Sequence, residues 1–186
     1  MIYPNGLPDF WFKPIPCSNQ LIIVDELNTF LREDVSRLSS AKDGFEHIDI
    51  PLFIKATPAL QEWLKELKCP PLRFVASVVF PPMKNQKIHT DSQKNNLALN
   101  FGLQVKDTRT DMYKIVSGKP FERPYGHQGY TWVDYSNCTM EKVTEFSLEQ
   151  DPILLNVHQL HSVINQTQNT RVAISLRFIQ DPIHLI

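Results

Sequence analysis

Leu21, Val24, Leu27, Leu31, Val35 and Leu38 recur at intervals of three and four, which is the period of one helical face, and Ser18 stands where a capping residue belongs. The spacing predicts a support helix over residues 18–38. Thr57-Pro58 predicts a second start, with threonine as cap and proline in the first turn; that helix presents Leu60, Trp63, Leu64 and Leu67 and stops before Pro70-Pro71. Between the two, residues 42–51 follow neither period and read as irregular. Both helices are expected to cover the outside of a sheet.

From Leu72 onward the period is two. LRFVASVVF, Leu72 to Phe80, reads as a strand leading through Pro81-Pro82 toward His89. In residues 96–105, Leu97, Leu99, Phe101, Leu103 and Val105 share one face, while Ala98, Asn100, Gly102 and Gln104 share the other. That second face is small and polar, as the interior of a ligand-admitting barrel must be, and it makes Asn100 a candidate pocket residue. Residues 129–135 and 141–146 resemble the arms of a hairpin. Residues 153–157 form a short apolar run. The charged, glycine- and proline-containing stretch 107–127 reads as a long excursion over the barrel mouth, with Tyr113, Arg123, Tyr125 and His127 as candidate substrate contacts.

The last predicted strand, RVAISLRF, divides most cleanly. Val172, Ile174, Leu176 and Phe178 form an apolar face, and Arg171, Ala173, Ser175 and Arg177 form the opposite one. A guanidinium among small residues suits a concave interior that receives a carboxylate, which it grips with two parallel donors. Taken alone, the same arginines also read as facing water on an edge strand. Upstream, His89 and Asp91 are separated by one residue, so on an extended segment both side chains point the same way. With a distant histidine they make a 2-His-1-carboxylate triad, which suits non-haem Fe(II) and leaves coordination positions open. His161 stands ten residues before Arg171, and His158 competes with it for the third position. His47, His127 and His184 have no partner at metal-ligand spacing and read as surface or structural residues.

His89-Thr90-Asp91, His161 in HSVIN, and Arg171 opening RVAISLRF together resemble the pattern of the Fe(II)/2-oxoglutarate-dependent dioxygenase superfamily. The resemblance runs over residues 72–178 and extends to the prolyl-hydroxylase-like and aspartyl/asparaginyl-hydroxylase-like branches and to small uncharacterised members that include phage-encoded ones. It implies a mainly β fold with flanking α-helices, a double-stranded β-helix or cupin-like jelly roll. It also implies that His89, Asp91 and His161 hold Fe(II), that 2-oxoglutarate chelates the metal through its 1-carboxylate and 2-oxo groups, and that Arg171 binds the 5-carboxylate, with Ser175 as a further donor. O2 would be the co-reactant, and the products would be succinate, carbon dioxide and a hydroxylated substrate. Asp91 favours hydroxylation over halogenation, because the halogenating branch carries a small residue there. A peptide side chain, an amino acid, another small metabolite or a modified nucleobase fits as substrate. Two other readings remain open: a cupin-type metalloenzyme that does not use 2-oxoglutarate, and a non-catalytic jelly-roll binding module. The first requires no dependence on Arg171; the second requires no stoichiometric iron.

Length and charge narrow the setting. A chain of 186 residues is within reach of one domain. The expected division is residues 1–71 as an amino-terminal arm and support helices, 72–178 as the catalytic core and 179–186 as a tail. A net charge of -1 offers no general footprint for nucleic acid or an anionic membrane. Three widely spaced cysteines, Cys17, Cys69 and Cys138, argue for free thiols in a reducing compartment. The prolines and aromatics of the first 17 residues suggest an arm pinned by rings, and no run is long and apolar enough to serve as a signal or membrane span. A cytoplasmic, soluble enzyme is expected.

Overall fold

The computed structural model describes residues 10–33, 44–91, 96–125 and 130–186. Two antiparallel sheets face each other. The major sheet has six strands in the order β1-β10-β5-β12-β3-β2: β1 Phe12–Pro14, β10 Ile153–Asn156, β5 Leu97–Gln104, β12 Arg171–Phe178, β3 Leu72–Phe80 and β2 Gly44–His47. The minor sheet has the order β4-β11-β6-β9: β4 Lys84–Asn85, β11 Leu160–Asn165, β6 Arg109–Ser117 and β9 Thr139–Phe146. A third, two-stranded sheet joins β7 Phe121–Tyr125 to β8 Tyr130–Asp134. The fold is a double-stranded β-helix with helices on one side. Among the described residues no helix is long and apolar enough to cross a membrane.

Side-chain alternation in the major sheet gives the protein two apolar cores. Leu97, Leu99, Phe101, Ile174, Leu176 and Phe178 face outward and pack under three helices, α1 Gln20–Glu33, α2 Ile50–Ala56 and α3 Pro58–Glu66. The helices contribute Ile23, Leu27, Leu31, Phe53, Leu60, Trp63 and Leu64, and the Trp63 ring meets Phe101 edge-on at 5.7 Å. The inner core lies between the sheets and contains Val78, Phe80, Ala98, Met112, Phe146, Leu155, Val163 and Ala173. Gly102 lets the chain cross closely there, since a Cβ at that position would stand 2.4 Å from the Leu148 carbonyl oxygen.

Several expectations change in the structure. α1 begins at Gln20, with the Asn19 carbonyl accepting from Ile23 N–H at 3.1 Å, so its cap position falls one residue after Ser18. Its buried stripe is Ile23, Leu27 and Leu31; Leu21 is exposed. Residues 34–38 lie outside the described residues. The segment expected to be irregular contains β2 and the start of α2, whose N-cap Asp49 accepts from Leu52 N–H at 2.9 Å. Thr57 does not cap α3 with its side chain, because its hydroxyl donates back to the Phe53 carbonyl at 2.8 Å. Glu26 of α1 does this work instead, accepting from Ala59 and Leu60 N–H at 2.9 and 3.2 Å.

The stretch 107–127 is not a long excursion, for it contains β6 and β7. The 129–135 and 141–146 segments do not pair with each other either. β8 pairs instead with β7, where Phe121 opposes Asp134, and β9 with β6, where Ser117 opposes Thr139. His127 lies outside the described residues. At the carboxyl end, Asp181 accepts from Asn96 and Leu97 N–H, each at 3.0 Å, and His184 Nε2 donates to the Leu67 carbonyl at 2.7 Å. These bonds tie the tail to the start of β5 and to the end of α3. The three cysteines are free, and burial pushes the Cys69 thiol up to about 11.

Candidate active site

The two sheets enclose a cavity lined from the major sheet by Phe45, Val78, Ala98, Asn100, Leu155, Arg171, Ala173, Ser175 and Arg177. The minor sheet adds Thr110, Phe146, His161 and Val163, and the segment between β4 and β5 adds Gln86, His89 and Asp91. The six residues expected to bind metal or cosubstrate or to line the pocket, His89, Asp91, Asn100, His161, Arg171 and Ser175, therefore line one space, whereas Tyr113, a candidate substrate contact, lies outside it.

Backbone pairing brings the distant histidines together. His89 and His161 form an antiparallel bridge, with N–H to carbonyl distances of 3.0 and 2.9 Å, and their ring centroids are 4.4 Å apart. Asp91 N–H then donates to the Val157 carbonyl at 2.9 Å, which places its side chain beside the rings. One candidate ligand atom from each of His89, Asp91 and His161 lies within 4.8 Å of the other two.

The imidazoles are oriented in the same way. His89 Nδ1 is 2.9 Å from the Lys87 carbonyl oxygen and His161 Nδ1 is 2.9 Å from that of Gln159. A carbonyl only accepts, so each Nδ1 carries the proton and each Nε2 is left with a lone pair toward the site. His89 Nε2 stands 3.3 Å from Asp91 Oδ1, so two acceptors converge where a cation would relieve them. Two imidazole nitrogens and one carboxylate oxygen, with room beside them, suit a non-haem divalent metal.

Electrostatics favour the ligand forms. Burial lowers His161 to about 4, helped by the neighbouring His89, so it is neutral at physiological pH. Burial alone would raise Asp91. The Arg177 guanidinium, whose Nη2 donates to Oδ2, outweighs that effect and holds the carboxyl well below the usual range.

Arg171 is the second notable feature. Its side chain is buried, its Nε has no hydrogen-bond partner, and among the described residues no carboxylate faces it. Burial lowers it to about 10, which still leaves it charged. An unpaired buried cation is costly, and the natural complement of a guanidinium is a carboxylate supplied from outside. Ser175 and Asn100, cross-strand neighbours on β12 and β5, lie on the same wall.

Sequence reasoning passed over two residues of this cavity. Arg177 Nη2 donates to Asp91 Oδ2 at 2.5 Å, while its Nη1 is buried without a partner. The signal was present, since alternation already set Arg177 on the Arg171 face. Gln86 directs its Nε2 at His89 Nε2 from 3.1 Å, and nothing in the spacing marks it. His158, the competing histidine, is exposed and lines a separate groove with Trp11, Tyr113 and Tyr135. His47 packs edge-on against Phe74 at 4.5 Å.

Comparison with protein-family models gives no match, and none appears among curated proteins. Solved structures do match. The non-haem alpha-ketoglutarate-dependent carbocyclase SnoK from nogalamycin biosynthesis aligns over 89% of this chain and 77% of its own, at 12% identity and a TM-score of 0.51. HygX from Streptomyces hygroscopicus, solved with nickel and 2-oxoglutarate bound, aligns over 89% of this chain and 80% of its own, at 15% identity and a TM-score of 0.51. At these identities the likeness is one of fold.

Proposed function

We propose that the protein is an Fe(II)- and 2-oxoglutarate-dependent dioxygenase that hydroxylates an unactivated C–H bond of a peptide side chain, an amino acid or a small metabolite. The observation that carries this reading is Arg171: a buried guanidinium with no anion among the described residues, on the wall of the cavity into which three candidate metal-ligand side chains converge. His89, Asp91 and His161 would hold the metal, with both histidines locked in the ligating tautomer by backbone carbonyls. Arg177 draws Asp91 Oδ2 away, which leaves Oδ1 on the histidine side. Arg171 would take the far carboxylate of 2-oxoglutarate, and Ser175 and Asn100 would supply further polar contacts.

When bound, Fe(II) with 2-oxoglutarate supplies oxidative decarboxylation by O2, which yields succinate, carbon dioxide and an oxidant for the substrate. The protein supplies orientation and charge. Ala98, Val78, Leu155 and Val163 keep the cavity wall apolar, so the anion and cation inside it attract strongly. The test is succinate formation from 2-oxoglutarate by protein reconstituted with Fe(II) in air. Activity lost in Asp91→Ala supports the reading. Metal binding without any consumption or binding of 2-oxoglutarate would replace it with a cupin-type metalloenzyme, and absence of metal binding would leave a jelly-roll binding module.

A further inference from the structure

Gln86 lies three residues before His89 and is fixed to β11, the strand that carries His161. Its N–H donates to the Val163 carbonyl at 2.8 Å, and its own carbonyl accepts from Ser162 Oγ at 2.6 Å. The backbone is therefore held in place relative to both histidines, and the freedom that remains is in the side chain. That side chain is half-buried, lines the cavity and brings its amide nitrogen 3.1 Å from His89 Nε2. Because His89 Nδ1–H is committed to the Lys87 carbonyl, Nε2 carries a lone pair and the Gln86 NH2 group is the donor.

One lone pair serves an amide N–H or a metal ion, not both. Metal binding at His89 thus displaces the Gln86 amide and leaves a polar group without its acceptor inside a partly apolar cavity. The Asp91 oxygens do not replace it, since Oδ2 is held by Arg177 and Oδ1 faces the metal position. 2-Oxoglutarate has two carboxylates; Arg171 would account for the far one, and chelation would occupy only one oxygen of the near one. We infer that Gln86 is an exchanging donor: its amide occupies the His89 lone pair in the metal-free protein and turns, once metal is bound, to hold the near carboxylate of the 2-oxo acid. This rests on the proposed function, and it assigns that site a second cosubstrate-binding residue.

The experiment is a pair of anaerobic titrations on the full chain, Co(II) into metal-free protein and then 2-oxoglutarate into Co(II)-loaded protein, for wild type, Gln86→Ala and Gln86→Glu. Gln86→Ala should bind Co(II) as tightly as wild type or a few-fold more tightly, since a competitor for Nε2 is gone. It should bind 2-oxoglutarate about tenfold more weakly, the loss expected for one hydrogen bond to a charged group. Gln86→Glu places an anion at the metal, so Co(II) should bind more tightly and 2-oxoglutarate more weakly still. Equal 2-oxoglutarate affinity in wild type and Gln86→Ala overturns the assignment, as does weaker Co(II) binding in Gln86→Ala with 2-oxoglutarate unaffected, which would make Gln86 a mere support for His89. A wild type that binds Co(II) but no 2-oxoglutarate removes the proposed function as well, and is told apart by needing no variant.

Discussion

Arg171 and Arg177 share a strand, a face and a cavity, and both are buried. Arg177 already has its anion, the Asp91 carboxylate, whereas Arg171 has none among the described residues. A paired buried charge belongs to the structure of the resting protein, and removing one partner strands the other. An unpaired buried charge contributes nothing to the resting protein; its partner comes with a ligand. On the proposed function the same residue type, six positions apart, would serve a structural ion pair at one end of β12 and an anion site at the other.

Exchanging each arginine for a neutral side chain of similar length should separate the two roles. Arg171→Met should weaken 2-oxoglutarate binding to the metal-loaded protein about a thousandfold, the loss of two charge-assisted hydrogen bonds, while leaving the metal-free protein as stable as wild type or more so. Calorimetric titration and urea unfolding read the two halves; an Arg171→Met protein that unfolds more easily and still binds 2-oxoglutarate would erase the contrast. Arg177→Met should do the reverse. It strands Asp91 and should cost the metal-free protein about 3 kcal/mol, with much of the loss restored by saturating Co(II), which gives the carboxylate a new cation.

A smaller effect should appear with pH. His161 has a folded value of about 4 against 6.5 for the free side chain, so the unfolded chain takes up its proton first as pH falls. The stability that this residue contributes is present above pH 6.5 and is lost on acidification through 6.5 toward 4, by about 2 kcal/mol between pH 7 and pH 5. Urea unfolding of metal-free wild type and His161→Gln at both pH values should show the steeper loss in wild type; parallel curves would remove His161 as the source. Smallest, and remote from the cavity, Glu26→Ala should cost about 1 kcal/mol through the N-terminus of α3, with 2-oxoglutarate affinity unchanged.

The parts of the fold that sequence made legible are those where alternation is strict and bounded. β3 and β12 run as expected, 72–80 and 171–178, because Pro81 ends one and the polar turn before Arg171 begins the other. β6 was hidden by charge. Its outer face carries Arg109 and Asp111, which pair with each other at 2.9 Å and meet Lys142 and Glu145 of β9, so the strand reads locally as a polar loop. β2 was hidden by brevity, since its pairing with β3 is what makes Gly44–His47 a strand. Within the site, type and spacing pointed to His89, Asp91, His161 and Arg171. They did not reveal that Arg177 reaches back to Asp91, because that contact joins segments 86 residues apart. Gln86 was invisible for another reason: its role depends on which imidazole nitrogen holds the proton, and the Lys87 carbonyl decides that.

The most direct measurement is anaerobic addition of Fe(II) and then 2-oxoglutarate to wild type, His161→Ala and Arg171→Met, following the weak visible metal-to-ligand charge-transfer band of the chelate. A band in wild type, none in His161→Ala, and one in Arg171→Met only at far higher 2-oxoglutarate would bear out a metal triad beside a waiting cation. A band that forms in Arg171→Met at the wild-type concentration, or no band in iron-loaded wild type, would contradict it.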